Sequence, residues 1–156
     1  MSGSQQATSG QDGGHAMVLH ASCVAIEDRA VLILGASGRG KSGLALQLMS
    51  LGARLVADDR TCLDLRQGPK GQCLIADAPD ALRGLIEARG VGILKAEATG
   101  PVPVALAVDL ERSEDSRLPP SRSLDLLGVS VPLVHMVDSP AFPAAILQYL
   151  RHGRSA

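Results

Sequence analysis

Aromatic side chains are almost missing from this chain: Phe142 and Tyr149 are the only two in 156 residues, and tryptophan is absent. Stacking platforms of the kind that hold single-stranded nucleic acid are therefore excluded. An excess of charge is missing too, with 15 Lys and Arg against 16 Asp and Glu. So even a balance gives no long-range grip on nucleic acid or on an anionic membrane surface. Cysteine is sparse. Cys23, Cys62 and Cys73 are odd in number, widely separated and lack a paired ligand spacing. They read as reduced thiols in or near the core, not as a disulfide framework or a metal cluster. No apolar run reaches membrane length, and no basic stretch leads into an apolar one as in a secretory leader. The expected location is the cytoplasm.

What the chain does have is a hydrophobic fraction of 46%, enough for one substantial core. Residues 1–15 are polar and glycine-rich and are expected to form a disordered tail. A single domain over 16–152 and a short tail over 153–156 follow. Strands are expected over 17–26, 30–34, 54–57 and 102–110, with a hairpin over 61–66 and 72–76 and a strand pair over 123–127 and 129–137. Helices are expected over 41–51 and 140–151, and 81–88 reads as a short helix or turn after Pro79. Many strands and few helices point to an α/β fold with a mixed sheet.

Residues 35–42, GASGRGKS, carry the full Walker A pattern between an apolar strand and a helix. Such a loop turns successive backbone N–H groups inward, and the helix N-terminus adds partial positive charge. Gly35, Ala36, Ser37, Gly38, Arg39, Gly40, Lys41 and Ser42 are thus the candidate nucleotide-binding residues. Lys41 can reach the β- and γ-phosphates, and the Ser42 hydroxyl can ligate Mg²⁺. This implies a nucleoside triphosphate, ATP being the expected one, but does not name the group that receives the phosphate.

Asp58 and Asp59 close the run LVADD, 17 and 18 residues after Lys41. That distance accommodates a helix, a turn and a return strand, which would bring the pair beside the loop, at the strand ends where open α/β sheets bind ligands. A hydrolase could use such a carboxylate for Mg²⁺ or water, and a kinase could use it to accept the proton of a substrate hydroxyl. The pattern alone leaves both open.

Taken in order, His20 ahead of the loop, GASGRGKS at 35–42, LVADD at 55–59 and EARGVGI at 87–93 resemble the catalytic domain of the HPr kinase/phosphorylase family over about residues 19–134. The nearest pattern is the short alphaproteobacterial form. The resemblance implies a P-loop kinase fold with a mixed sheet and ATP-dependent phosphorylation of a serine on an HPr-like phosphocarrier of the sugar phosphotransferase system, with dephosphorylation as a further activity. It implies Asp58 as general base, Asp59 and His20 as its support, Lys41 at the phosphates, and Ser42 with Glu87 at Mg²⁺. Arg89 and Arg117 become candidate contacts for acceptor or phosphate, and a homo-oligomer, a hexamer in the family, becomes the expected assembly. Two departures stand out: Gly43 replaces a glutamate usual in the family, and HMVDSPAFP at 135–143 replaces an arginine-containing segment. They favour kinase over phosphorylase activity, and they keep open a reading as an ATP-sensing module that binds a protein partner and transfers nothing.

Overall fold

The computed structural model describes residues 6–7 and 16–156. The rest of the N-terminal segment read as a disordered tail lies outside the described residues. Gln6–Ala7 (β1) pair antiparallel with Met17–Leu19 (β2). The chain continues through Ala21–Ile26 (β3), Arg29–Leu34 (β4), helix Lys41–Ser50 (α1) and Arg54–Ala57 (β5). A hairpin of Thr61–Gly68 (β6) and Gly71–Asp77 (β7) follows, then a single 3₁₀ turn, Asp80–Leu82. Leu85–Ala88 (β8) and Gly92–Lys95 (β9) form a separate small hairpin. Val102–Ser113 (β10), Arg122–Leu126 (β11), Val129–Met136 (β12) and helix Phe142–His152 (α2) complete the described chain.

The mixed sheet expected from the sequence is present. Its ten strands run β1-β2-β6-β7-β10-β4-β3-β5, with β12 joining β10 and β11 lying beyond it. Strand β10 is where the sheet forks. Val102 and Pro103 pair antiparallel with β7, Ala107 to Ser113 pair parallel with β12, and the other edge pairs parallel with β4. Alternation along β3 then divides the core in two. Cys23 and Ala25 face Leu32, Leu63 and Leu74, under the β2-β6-β7 limb. Val24 and Ile26 face Leu48, Leu106, Ile146 and Leu150, under the two helices. Every residue of β3 is buried, so this strand is the middle layer of three. Burial of Cys23 pushes its thiol well above the ordinary range, and none of the three cysteines forms a disulfide. Among the described residues no helix is long and apolar enough to cross a membrane.

Three expectations need correction. The stretch 17–26 is two strands broken at His20, because β2 pairs with β6 in one limb while β3 pairs with β4 and β5 in the other. The stretch 81–88, read as a short helix or turn, is a turn only over 81–84 and a strand over 85–88. Gly84 turns the chain at φ 74°, where a Cβ would sit 3.3 Å from the Ala96 carbonyl, and residues 85–88 pair with β9 instead. Strand β10 runs on to Ser113 because Ser113 still pairs with Met136.

Strands β4 and β5 both run antiparallel to β3, and β10 and β12 run with β4. One edge of the sheet therefore collects the carboxyl ends of β4, β5, β10 and β12 together with the start of β3. Leu48 on α1 is fully buried against that central sheet. Leu48→Ala should lower unfolding free energy by about 2–5 kcal/mol through lost transfer energy and a cavity; the shift of the urea midpoint at constant slope measures it.

Candidate active site

The loop after β4 wraps the start of α1, and Gly38 and Gly40 adopt φ of 86° and 96°, a left-handed conformation that costs glycine little. No side chain caps the helix, so its first N–H groups stay open for an anion. Lys41 is buried to 5% exposure and donates from Nζ to the Gly35 carbonyl at 2.7 Å. Its ammonium also lies 3.8 Å from Asp59. A cavity of about 550 Å³ opens there, lined by Ser37, Lys41, Ser42, Asp59, Glu87 and Arg89 among others. The phosphate loop, the second aspartate and the 87–89 segment, 16 or more residues apart in sequence, thus share one pocket.

The two aspartates divide their contacts sharply. Arg60 N–H donates to the Asp58 carbonyl at 2.8 Å across Asp59, whose φ of 68° makes this a three-residue γ-turn. Asp58 points back into the fold. Its Oδ1 accepts from the Ser42 hydroxyl at 2.6 Å and from the Ser22 hydroxyl at 2.8 Å, and its Oδ2 accepts from the Glu87 N–H at 3.0 Å. Asp59 points out: it is 56% exposed and accepts from His20 Nε2 at 2.7 Å. His20 reaches it from the bend between β2 and β3. The Ser22 hydroxyl also accepts from the Asp59 N–H at 3.1 Å, so one buried side chain fixes both aspartates.

Ser22 and Glu111 were not foreseen from the sequence. Ser22 is a polar residue inside an otherwise apolar strand, a signal that a buried partner must exist. Glu111, at the carboxyl end of β10, accepts from the Ala36 N–H at 2.5 Å and pairs with Arg39 at 3.3 Å. It braces the first half of the phosphate loop from a neighbouring parallel strand. Gly35 and Ala36 therefore face a second cavity, shared with His20, Glu111 and Arg112. Arg117 stands exposed in the loop after β10 and lines neither cavity.

Residues 14–134 match the HPr Serine kinase C-terminal domain. The chain belongs to that family. It is 36% identical over 128 residues to an HPr kinase/phosphorylase of Geobacillus sp. (strain WCH70), covering 78% of this chain and 39% of that protein. Another HPr kinase/phosphorylase, from Pediococcus pentosaceus, is 49% identical over 76 residues, 49% of this chain and 23% of that one. The chain thus spans well under half the length of these curated relatives. The solved Hpr(Ser) kinase/phosphatase of Coxiella burnetii superposes with a TM-score of 0.68 at 27% identity, covering 86% of this chain and 88% of that one. The fold is therefore the family's, a mixed sheet with the phosphate loop between β4 and α1.

Replacing Ser22 by alanine removes one of the donors to Asp58 and the acceptor of the Asp59 N–H. Ser22→Ala should cost about 1.5–3 kcal/mol of stability, the scale of a hydrogen bond to a charged group. Chemical denaturation reads this independently of any activity.

Proposed function

We propose that this chain transfers the γ-phosphoryl group of ATP to a serine hydroxyl on an HPr-like phosphocarrier protein. The observation that carries the reading is the exposed Asp59 carboxylate, hydrogen-bonded to His20 at 2.7 Å and 3.8 Å from the ammonium of the phosphate-loop lysine. An acid placed there meets an incoming hydroxyl on one side and the terminal phosphate on the other. The names of the relatives, HPr kinase/phosphorylase, support the same chemistry and the same acceptor.

On this reading the roles of the two aspartates are exchanged relative to the sequence expectation. Asp58 already accepts three hydrogen bonds and points inward, which leaves it poorly placed to take a substrate proton. Asp59 is the proton acceptor, and Asp58 positions Ser42 and the 87–89 segment. In the forward reaction the serine Oγ attacks the γ-phosphorus and its proton passes to Asp59. The bond between the γ-phosphorus and the bridging oxygen breaks, and ADP leaves with the electron pair. His20 holds the Asp59 carboxylate in line, and Lys41 and Arg89 offset charge on the phosphates. Run backwards, the same carboxylate returns the proton.

The oxygen donors at the loop suit Mg²⁺, which takes one or two protein ligands and completes its shell with water and phosphate. The Ser42 hydroxyl and the Glu87 carboxylate, both lining the pocket, form such a set. No cluster of three or more His, Cys, Asp or Glu suited to a protein-only metal site occurs among the described residues. When bound there, the ion neutralises charge between the β- and γ-phosphates.

Mixing the protein with ATP, Mg²⁺ and an HPr-type carrier should yield carrier heavier by one phosphoryl group on serine, detected by mass spectrometry. Unmodified carrier across a range of pH and Mg²⁺ would overturn the proposal. Asp59→Asn keeps a residue that tolerates the left-handed backbone and should bind ATP while losing at least about 10²-fold in transfer, the usual scale for a general base. Asp58→Asn should instead weaken the stability of the site as well as the rate.

A further inference from the structure

Between β4 and α1 the phosphate loop begins with Gly35 and Ala36. Strand β10 lies parallel beside β4, with Val108 level with Ile33 and Asp109 level with Leu34. Carried two residues further, that register sets Glu111 beside Ala36. On its other edge β10 breaks step. Asp109 pairs with His135 and Ser113 pairs with the very next residue, Met136, so residues 110–112 bulge out of the ladder. A bulge near the end of a strand re-aims a side chain, and here it turns Glu111 toward the loop. Asp109 fixes the bulge: its Oδ1 accepts the Glu111 N–H at 2.8 Å, and its Oδ2 lies 3.8 Å from Arg112.

The two oxygens of the Glu111 carboxylate are used separately. Oε2 accepts the Ala36 N–H at 2.5 Å, and Oε1 lies 3.3 Å from Arg39 Nε. Ala36 opens a tight turn of the loop and Arg39 closes it, the Arg39 N–H donating to the Ala36 carbonyl at 3.1 Å. One side chain from a neighbouring strand therefore holds both ends of that turn. The packing there is close: a Cβ at Gly35 would lie 3.2 Å from Arg39 Cβ and 3.3 Å from Leu110 Cβ.

The geometry points to Glu111 as a positioning residue that holds the phosphate loop in its anion-binding shape before any nucleotide arrives, with Arg39 offsetting the negative charge this puts beside the phosphates. The inference rests on the proposed use of a triphosphate and adds which residue shapes the loop for it. A loop whose N–H groups must converge on one anion binds more weakly if it has to be ordered at the moment of binding. A lone carboxylate beside an anion site would oppose the anion. Paired with Arg39, Glu111 supplies the geometry without that repulsion. Its partners belong to the part of the loop before Gly40, whereas Ser42, Asp58 and Asp59 form the reacting part. Glu111 therefore acts on phosphate binding and not on the transfer step.

Calorimetric titration with inorganic tripolyphosphate, with no carrier present, reads the loop by itself. In Glu111→Ala the affinity should fall at least about tenfold, the scale of one hydrogen bond to a charged group. Glu111→Gln keeps an oxygen for the Ala36 N–H and should recover to within about threefold of the unaltered protein. An alanine variant that binds as tightly as the unaltered protein overturns the inference. So does a glutamine variant as weak as the alanine one, which would make the charge itself the requirement. In the transfer reaction the alanine loss should appear in KM for ATP, the pattern of an interaction made equally in ground and transition states. A loss confined to kcat would make Glu111 a catalytic group and overturn its positioning role. A further measurement uses the unaltered, nucleotide-free protein and does not depend on a variant folding. By NMR, the Ala36 amide should exchange with solvent at least about tenfold more slowly than that of Gly38, after correction for intrinsic rates. Equal exchange at the two amides overturns the inference. Carrier left unphosphorylated, with the tripolyphosphate results as expected, removes the kinase reading and leaves the role of Glu111 standing. Failure of the unaltered protein to bind either ATP or tripolyphosphate removes both.

Discussion

Three donors from three separate parts of the chain converge on the Asp58 carboxylate. They are the Ser42 hydroxyl at the start of α1, the Ser22 hydroxyl in β3 and the Glu87 N–H in β8. Hydrogen bonds to a charged group contribute about 1.5–3 kcal/mol each, more than neutral ones. Their larger effect is on geometry, because one carboxylate holds the phosphate loop, the middle strand and the 87–89 hairpin in fixed relation. The γ-turn at Asp59 then has a single direction left in which to present its own acid. The outward pose of Asp59 is thus a consequence of how fully Asp58 is engaged.

The sheet supplies the rest of the constraint. Because β4, β5, β10 and β12 run together and β3 runs against them, one edge brings together residues from across the sequence. The phosphate loop, the aspartates, Glu111 and the 136–143 segment are neighbours for that reason, and His20 joins them from the head of β3. Three left-handed positions lie on that edge, Gly38, Gly40 and Asp59. Uncommon backbone conformations of this kind persist where surrounding contacts over-determine them. Here the Ser22 hydrogen bonds supply that support.

Much of this was legible in the residues. The phosphate loop between an apolar strand and a helix was readable because its glycines, lysine and serine answer a specific anion-binding need. The apolar runs marked β4 and β5, and Gly52 marked the end of α1. The break at His20 was hidden, since residues 17–26 alternate smoothly across a bend whose cause is pairing with distant β6. The 85–88 strand was hidden for a similar reason: its partner, β9, shows little pattern of its own, and Pro79 suggested a helix start. The roles of the two aspartates could not be told apart locally. A positive φ at Asp59 defeats the alternation expected of neighbouring residues on an extended chain, and the donors that occupy Asp58 lie 16 to 36 residues away.

The central claim is that folding leaves Asp59 as the free acid beside the transferring phosphate. A crystal structure of this domain with ADP, Mg²⁺, a phosphoryl-transfer analogue such as aluminium fluoride, and a serine-bearing carrier tests it most directly. The account predicts an Asp59 carboxylate oxygen within hydrogen-bond reach of the attacking serine Oγ, about 2.6–3.2 Å, with Asp58 still bonded to Ser22. An Asp58 oxygen at that position, or both carboxylates remote from the serine, would contradict it.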